Sequence, residues 1–237
     1  MQAAKTGDIA TEAALSAEIE KLGGISRYQE ASLQGQSQDR GGDTSRVLMD
    51  WLPAKELKQS GQKFKLLEVG ALSTKNACSK SGIFKCVHID LNSQEPGILK
   101  QDFMDRPLPS TDDDRFDIIS LSLVLNFVPD GGLRGEMLKR TLSFLRNTEA
   151  SEWFPSLFLV LPRSCVDNSR YFTEKRLQEL MDSLGYVQAK HKSTQKLVYG
   201  LWLKQGTVKT KAEFTKQELN PGRTRNNFVI TLKRQSG

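Results

Sequence analysis

Two residues, Gly70 and Asp90, are the first whose types and spacing indicate chemistry. Gly70 ends the apolar run LLEVG, and Asp90 ends the run CVHID, 20 residues later. A glycine turn after one strand and an acidic residue about 20 positions on are typical of a nucleoside site in an open α/β sheet. A carboxylate suits this role because it accepts hydrogen bonds from both hydroxyls of a ribose. In the alternative interpretation, Gly70 is only a strand-end turn and Asp90 a solvated cap.

The loop after Gly70 distinguishes two kinds of cofactor. A dinucleotide carries a pyrophosphate, which several glycines at a helix N-terminus would bind. Leu72 and Thr74 stand where those glycines are expected, whereas S-adenosylmethionine has no phosphate and fits a loop with one glycine. After a third predicted strand, Asp102 is a candidate acceptor for the adenine amino group and Phe103 a candidate to line the ring. Asp102 is otherwise an ordinary loop carboxylate.

A second group of candidates follows the fourth predicted strand, in the stretch LNFVP. Enzymes that methylate exocyclic amines commonly carry Asn/Asp-Pro-Pro-aromatic at this place, and the spacing here differs. The spacing points away from an exocyclic amine and toward a ring nitrogen, whose lone pair is already available, so that methylation depends on positioning more than on a strong base. Asn126 is a candidate to orient an unpaired or flipped-out base, and Phe127 to stack on it. Alternatively, Asn126 caps the strand end and Phe127 is a core residue.

Alternating strands and helices would position these residues. Five strands are predicted by KLLEVGA, CVHIDLN, GILKQDF, RFDIISLSLVL and SLFLVLP, and helices by GEMLKRTLSFLRN and TEKRLQELMDSLG. The late extended runs YVQAKHKST, KLVYGLWLK and NNFVITLKR have no helices between them. The pattern predicts an α/β fold whose sheet is mostly parallel, with an antiparallel C-terminal edge. Helices are also predicted for residues 10–22 and for TSRVLMDWLPAKELKQS, which gives a helical N-terminal extension over residues 1–60 and a main domain over residues 61–237.

Composition narrows the class of protein. The 237 residues include 38% hydrophobic and 26% charged residues, and no run approaches the roughly 18 apolar residues of a membrane helix. The N-terminus shows no secretory signal, and we expect an intracellular protein. Cys78, Cys86 and Cys165 are scattered, and His88 and His191 are the two histidines, so neither a disulfide framework nor a metal site is expected. His88 lies inside a predicted strand, where a structural role is favoured.

The formal net charge of +6 favours acidic partners such as nucleic acid. Basic residues are close together near the C-terminus, in KTKAEFTK, GRTRNN and TLKRQ. Each could equally be a solvated surface charge. The candidates for contacts with RNA phosphates are Arg163, Arg170, Lys175, Arg223 and Arg225.

Five stretches carry a resemblance to a known family. They are YQEASLQGQSQDRGGDTS, LLEVGALSTKNACSKSGIFKCVHIDLN, QDFMDRPLP, LSLVLNFVPDGGLRGEML and FLVLPRSCVDNSRYFT. The chain resembles the fungal 25S ribosomal RNA adenine-N1 methyltransferases over about residues 22 to 235. This family opens its cofactor site with one glycine, as in EVGALS.

The resemblance implies a Rossmann-like class I methyltransferase with a seven-stranded sheet. It implies binding of S-adenosyl-L-methionine at Gly70 and Asp90 and methylation of one adenine in large-subunit rRNA. We expect a monomer of the nucleus and nucleolus that acts on the pre-ribosome, with no membrane and no metal. An animal branch of similar sequence acts as a non-catalytic S-adenosylmethionine sensor, which is the first alternative function. A small-molecule methyltransferase is the second, and the basic C-terminal region disfavours it.

Overall fold

The computed structural model describes residues 42–93, 95–148, 151–209 and 212–233. The chain divides into two compact units, Met1–Asp43 and Thr44–Gly237. Almost all the described residues belong to the second unit. The helix expected over residues 10–22 lies outside the described residues.

The predicted helix around Pro53 is divided into two, α1 (Ser45–Trp51) and α2 (Ala54–Gln59). Leu52, between them, is extended, because a residue that precedes proline is disfavoured in the α conformation. Leu48 and Leu52 are buried against the first strand. Both helices therefore belong to the same compact unit as the sheet.

One sheet of seven strands forms the centre of the second unit, in the order β3-β2-β1-β4-β5-β7-β6. The strands are β1 (Phe64–Val69), β2 (Phe84–Asp90), β3 (Ile98–Lys100), β4 (Ile118–Ser122), β5 (Ser156–Pro162), β6 (Tyr186–Ser193) and β7 (Leu197–Lys204). The first five are parallel to one another, whereas β7 is antiparallel to both β5 and β6. The predicted fold class, a mostly parallel sheet with an antiparallel C-terminal edge, is confirmed.

Helices cover both faces of the sheet. They are α3 (Ala77–Lys80), α4 (Gly131–Phe144), α5 (Ser164–Asp167) and α6 (Glu174–Ser183), and a 3-10 turn spans Asp112–Asp114. Adjacent strand residues alternate between two hydrophobic clusters: Leu67 packs with α4 and α6, and Leu66 with α1 and α3. Side chains on successive strand positions point to opposite faces, so strands buried on both sides read as continuous apolar runs.

The described part of the run NNFVITLKR, residues 226–233, is not a strand of the sheet. Its Thr231 N–H donates to the carbonyl of Gly131 on α4, at 2.9 Å. Leu232 forms an isolated bridge with Phe214. This apolar run near the C-terminus therefore packs across a helix. The alternation of its residues alone did not distinguish such a segment from a strand of the sheet.

Candidate functional site

The backbone turns sharply at Gly70, where β1 ends. Gly70 has φ of +71°, a conformation that side chains with a Cβ rarely adopt. The N–H groups of Gly70 and Ala71 both donate to the carbonyl of Ile89 on β2, at 2.9 and 3.1 Å. A Cβ at Gly70 would lie 2.8 Å from the side chain of Val124, in the loop after β4. Gly70 is thus the point where β1, β2 and the loop after β4 approach one another, and a side chain would separate them.

The loop after Gly70 is fastened at its far end. The carboxylate of Glu95 accepts hydrogen bonds from the N–H and the hydroxyl of Thr74. Asn76 then caps α3 by accepting from the N–H of Ser79, and its amide donates to Glu68 at 2.7 Å. The loop therefore has a defined conformation without the additional glycines of a dinucleotide site.

Asp90 occupies the last position of β2 and is half-buried. One of its carboxylate oxygens accepts from the N–H of Asn92, at 2.7 Å. Its backbone carbonyl accepts from Gln101, which directly follows β3. The carboxylate therefore stands at the carboxyl edge of the sheet, next to the strand that Gly70 ends, as predicted for a ribose-binding residue.

Asp102 and Phe103 follow β3 and differ in their surroundings. Asp102 is half-buried, and its carboxylate accepts from the N–H of Met104. The ring of Phe103 is only 2% exposed and packs against Phe144, with 5.2 Å between ring centroids. Phe103 is therefore a core residue in this structure, and its role in lining an adenine stays a prediction. Its half-buried neighbour Met104 has the more accessible side chain.

The loop after β4 carries the two predicted substrate residues. Leu123, at its start, has φ of +58°, which is rare for a residue with a side chain. The Oδ1 atom of Asn126 is buried and has no hydrogen-bond partner among the described residues. The neighbouring Phe127 is 51% exposed, so the interpretation of Phe127 as a core residue is wrong. A buried polar atom without a partner is costly, and it marks a place where a ligand can supply a hydrogen bond.

His88 is part of a polar network inside the sheet. It is 7% exposed, and its Nε2 lies 2.9 Å from the hydroxyl of Ser79 and 3.4 Å from the carboxylate of Glu68. Burial lowers the pKa of His88 below its usual value. These contacts support the structural role that its position in a strand predicted.

The predicted RNA-binding residues lie after β5 and in residues 219–232, which we call the C-terminal segment. The loop after β5 and the loop after β4 leave the same edge of the sheet, because the two strands are parallel. Three of the arginines also bind within the protein: Arg163 pairs with Asp167, Arg170 donates to Asn227 and to the carbonyl of Gly222, and Arg225 donates to the carbonyl of Asp167. Arg223 and Lys175 are exposed.

Two cations lie around Tyr171: Arg170, which is one of the predicted RNA-binding residues, and Lys216, which was not named as a candidate. The ammonium of Lys216 lies 4.5 Å from the centre of the Tyr171 ring, and the guanidinium of Arg170 lies 5.8 Å from it. Tyr171 is half-buried. Positive charge and an aromatic face are therefore brought together beside the C-terminal segment, a combination that suits single-stranded nucleic acid.

Two further residues support the candidate site, and the sequence did not single out either of them. Glu95 holds the loop after β1, as described above. Arg134 on α4 donates hydrogen bonds to the carbonyls of Leu125 and Val128, on either side of Asn126 and Phe127. Both act through contacts between distant parts of the chain, so local pattern could not identify them.

A cavity of about 150 Å³ lies elsewhere, between α6 and strands β5, β6 and β7. It contains none of the residues predicted to bind the cofactor or to contact the target base. Among the described residues, no group of three or more acidic, histidine or cysteine side chains could hold a metal ion. The described helices include none that is long and apolar enough to span a membrane.

The strand order, the glycine turn after β1 and the carboxylate that ends β2 define a Rossmann-like class I methyltransferase. Sequence comparison then specifies the family. The family model described as 25S rRNA (adenine(2142)-N(1))-methyltransferase, Bmt2, matches residues 13–230. The chain belongs to this family, and the resemblance seen in the sequence is confirmed.

Two fungal relatives are similar along most of the chain. The 25S rRNA (adenine(2142)-N(1))-methyltransferase of Saccharomyces cerevisiae is 42% identical over 217 residues, which cover 91% of this chain and 62% of the relative. The 25S rRNA adenine-N(1) methyltransferase of Schizosaccharomyces pombe is 37% identical over 222 residues, covering 91% of this chain and 79% of the relative. The chain thus spans less than two thirds of the length of the first.

A solved structure with a similar fold is the 1,6-didemethyltoxoflavin-N1-methyltransferase of Burkholderia thailandensis, bound to 1,6-didemethyltoxoflavin and S-adenosylhomocysteine. It is 14% identical, with a TM-score of 0.49, and the match covers 76% of this chain and 87% of that one.

Proposed function

We propose that the protein transfers a methyl group from S-adenosyl-L-methionine to N1 of an adenine in 25S rRNA, forming 1-methyladenosine. Membership of the family supports the reaction class. The structural observation that carries the proposal is the buried, unpartnered Oδ1 of Asn126 beside the exposed ring of Phe127.

The residues at the ends of β1 and β2 fit the cofactor. Gly70 lets the backbone approach the ligand without a side chain, and the half-buried carboxylate of Asp90 suits the ribose hydroxyls. Asp102, two residues after β3, is the residue that we propose accepts from the adenine amino group of the cofactor. When bound, S-adenosylmethionine supplies a methyl group on a positively charged sulfur.

The loop after β4 positions the target base. Asn126 Oδ1 accepts a hydrogen bond from the 6-amino group of the adenine, which lies next to N1. This hydrogen bond provides the buried oxygen with a partner. Phe127 stacks on the face of the unpaired base. Asn126 and Phe127 would hold the adenine so that its N1 lone pair faces the methyl group that bound S-adenosylmethionine would supply. Because N1 already carries a lone pair, no residue would have to remove a proton first.

The exposed and half-buried cations beside the loop after β5 and in the C-terminal segment would hold the flanking RNA by its phosphates. We further propose that the protein acts in the nucleolus as a monomer on the pre-ribosome. Fluorescent tagging in cells tests the location, and light scattering of the purified protein tests the oligomeric state.

The product identifies the reaction. Purified protein, labelled S-adenosylmethionine and 25S rRNA fragments are incubated, and the nucleosides are separated by mass spectrometry. We expect 1-methyladenosine, formed at a rate that is nearly constant from about pH 7 to 9, because no general base is involved. N6-methyladenosine as product would overturn the proposal. Cofactor binding without any product from rRNA would favour the sensor function.

Asn126 variants test the positioning of the base. Asn126→Ala is expected to lower kcat by about 10- to 100-fold while leaving the affinity for S-adenosylhomocysteine within about 2-fold, the pattern of an interaction made mainly in the transition state. Asn126→Asp keeps an acceptor oxygen and should lose less activity than Asn126→Ala. Equal kcat in all three proteins would exclude this role for Asn126.

A further inference from the structure

Arg134 is a buried cation near the start of α4, and it is 8% exposed. Its Nε donates to the carbonyls of Leu125 and Val128, at 3.0 and 2.8 Å, and one terminal nitrogen lies 3.5 Å from the carbonyl of Pro129. These carbonyls bracket Asn126 and Phe127. The guanidinium therefore holds the loop after β4 by hydrogen bonds to the backbone of that loop.

The other terminal nitrogen of Arg134 reaches the C-terminal segment. It donates to the carbonyl of Val229 at 2.7 Å, and the guanidinium carbon lies 4.4 Å from the centre of the Phe228 ring. One planar group thus joins the loop after β4 to a segment about 100 positions further along the chain, since Arg134 and Val229 are 95 residues apart.

Two glycines on α4 bring the C-terminal segment this close. A Cβ at Gly131 would lie 2.9 Å from the side chain of Val229, and a Cβ at Gly135 would overlap the carbonyl oxygen of Thr231. Gly131 and Gly135 are four residues apart and share one face of the helix. The segment lies directly on the helix backbone there, at the level of Arg134.

The same segment holds the basic residues in place. Asn226 donates to the carbonyl of Asn168, and Ser169 donates from its hydroxyl to the carbonyl of Phe228. Arg225 and Arg223 lie immediately before these contacts. A displacement of Arg134 would therefore alter the conformation of the loop after β4. It would also alter the position of this loop relative to the surface proposed to bind RNA.

We propose that Arg134 is a positioning residue for methyl transfer: it fixes Asn126 and Phe127 against the C-terminal segment, so that a base held by the loop and RNA held by the segment are aligned. This rests on the proposed function of the loop. A guanidinium is required because its rigid, planar array of donors can satisfy carbonyls on two segments at once. A lysine ammonium is a point charge and cannot reproduce that geometry.

The test compares two arginines that each cover an aromatic ring. Arg134→Lys is the test variant, and Arg176→Lys is the control. Arg176 also covers an aromatic ring, that of Phe214 at 4.5 Å, but it donates to Glu179 on its own helix rather than to the loop after β4. We expect Arg134→Lys to lower kcat on the rRNA fragment by about 10- to 100-fold, as misplacement of a reacting group does. Its affinity for S-adenosylhomocysteine should stay within about 2-fold of wild type, and Arg176→Lys should keep wild-type kcat.

A second measurement separates positioning from general damage. In the background of Asn126→Ala with Phe127→Ala, Arg134→Lys should lower kcat by less than about 2-fold, because the side chains it positions are gone. An unchanged kcat for Arg134→Lys alone would overturn the inference. So would a decrease in kcat in the double-alanine background as large as the decrease in the otherwise wild-type protein. If Arg134→Lys does not fold, Phe228→Leu removes the ring beneath the guanidinium and is judged by the same two criteria. Inactivity of the wild-type protein would instead reject the proposed function.

Discussion

The carboxylate of Glu95 accepts two hydrogen bonds from Thr74, from its N–H at 3.1 Å and from its hydroxyl at 2.6 Å. This contact joins the loop after β1 to the connection between β2 and β3, and so connects the surroundings of Gly70 and Asp90. We expect Glu95→Ala to weaken S-adenosylhomocysteine binding by about 3- to 10-fold, because the loop after Gly70 must then be ordered by the ligand. Calorimetry measures this, with the exposed Glu56→Ala on α2 as the control. Equal affinities in both variants would contradict the role of the contact.

The same contact predicts a dependence of stability on pH. Hydrogen bonds from the side chain and backbone of Thr74 lower the pKa of Glu95 below its usual value of 4.5. The resulting stabilisation is fully present above that value and is lost as the pH falls through the lower pKa of the folded state. The difference in Tm between wild type and Glu95→Gln should therefore be constant above about pH 5.5 and shrink below about pH 4.5. A difference that grows in acid would refute the assignment.

Gly70 and Gly61 form a matched pair for a stability experiment. Both have positive φ, +71° and +69°, but a Cβ at Gly61 would meet no atom within 4 Å, whereas one at Gly70 would lie 2.8 Å from Val124. Gly61→Ala should cost about 1–2 kcal/mol of unfolding free energy from the backbone alone. Gly70→Ala should cost about 1–3 kcal/mol more from overpacking. Denaturant unfolding measures both, and Val124→Ala in the Gly70→Ala background should recover part of the difference.

Asp90 variants test the ribose contact. Asp90→Ala removes a charged acceptor, and each lost hydrogen bond to a charged group is worth about 1.5–3 kcal/mol. Asp90→Asn keeps the shape and an acceptor oxygen and should retain more affinity for S-adenosylhomocysteine than Asp90→Ala. Since the backbone carbonyl of Asp90 still accepts from Gln101, we expect both variants to fold. Wild-type affinity in Asp90→Ala, measured by calorimetry, would remove Asp90 from the cofactor site.

The basic residues predict how RNA binding depends on salt. If Arg223 and Arg225 contact phosphates, replacing both with Ala should flatten the slope of log affinity against log salt concentration by about one unit per lost contact. Lys55 and Lys58, exposed on α2 before the amino end of β1, provide the control pair. Fluorescence anisotropy with 25S rRNA fragments gives the slopes. Identical slopes for the two double variants would exclude a specific contribution from the C-terminal segment.

Local pattern predicted the residues whose role depends on strand ends. The alternation of apolar runs and helices located Gly70 and Asp90 at the ends of β1 and β2, because the carboxyl ends of parallel strands meet at one edge. The helix predicted by TEKRLQELMDSLG is α6, and Thr173 caps it by accepting from the N–H of Arg176. Phe127 could not be assigned as core or surface from sequence, since a residue after a strand can be either, and the structure shows it exposed.

Residues that act through distant contacts were outside the reach of the sequence. Arg134 directly precedes the predicted helix GEMLKRTLSFLRN, and only the packed structure brings its guanidinium to Val229. Phe103 follows a strand end like the other site residues, but the fold turns its ring toward Phe144 on α4. Glycine is a poor helix former, so the sequence alone does not explain Gly131 and Gly135. In the structure, the C-terminal segment lies against α4 at these two positions, where a side chain would not fit.

The position of β7 determines the order in which the sheet can be completed during synthesis. β7 is the last strand to be made, yet it lies between β5 and β6, so β6 leaves the ribosome before the strand that joins it to the rest. Until then β5 has an unpaired edge along the seven positions that later pair with β7. Unpaired edges of apolar strands recruit other chains. A chain truncated before Leu197 would therefore contain strands β1 to β5, with an unpaired edge on β5. Aggregation of nascent chains would begin at this edge.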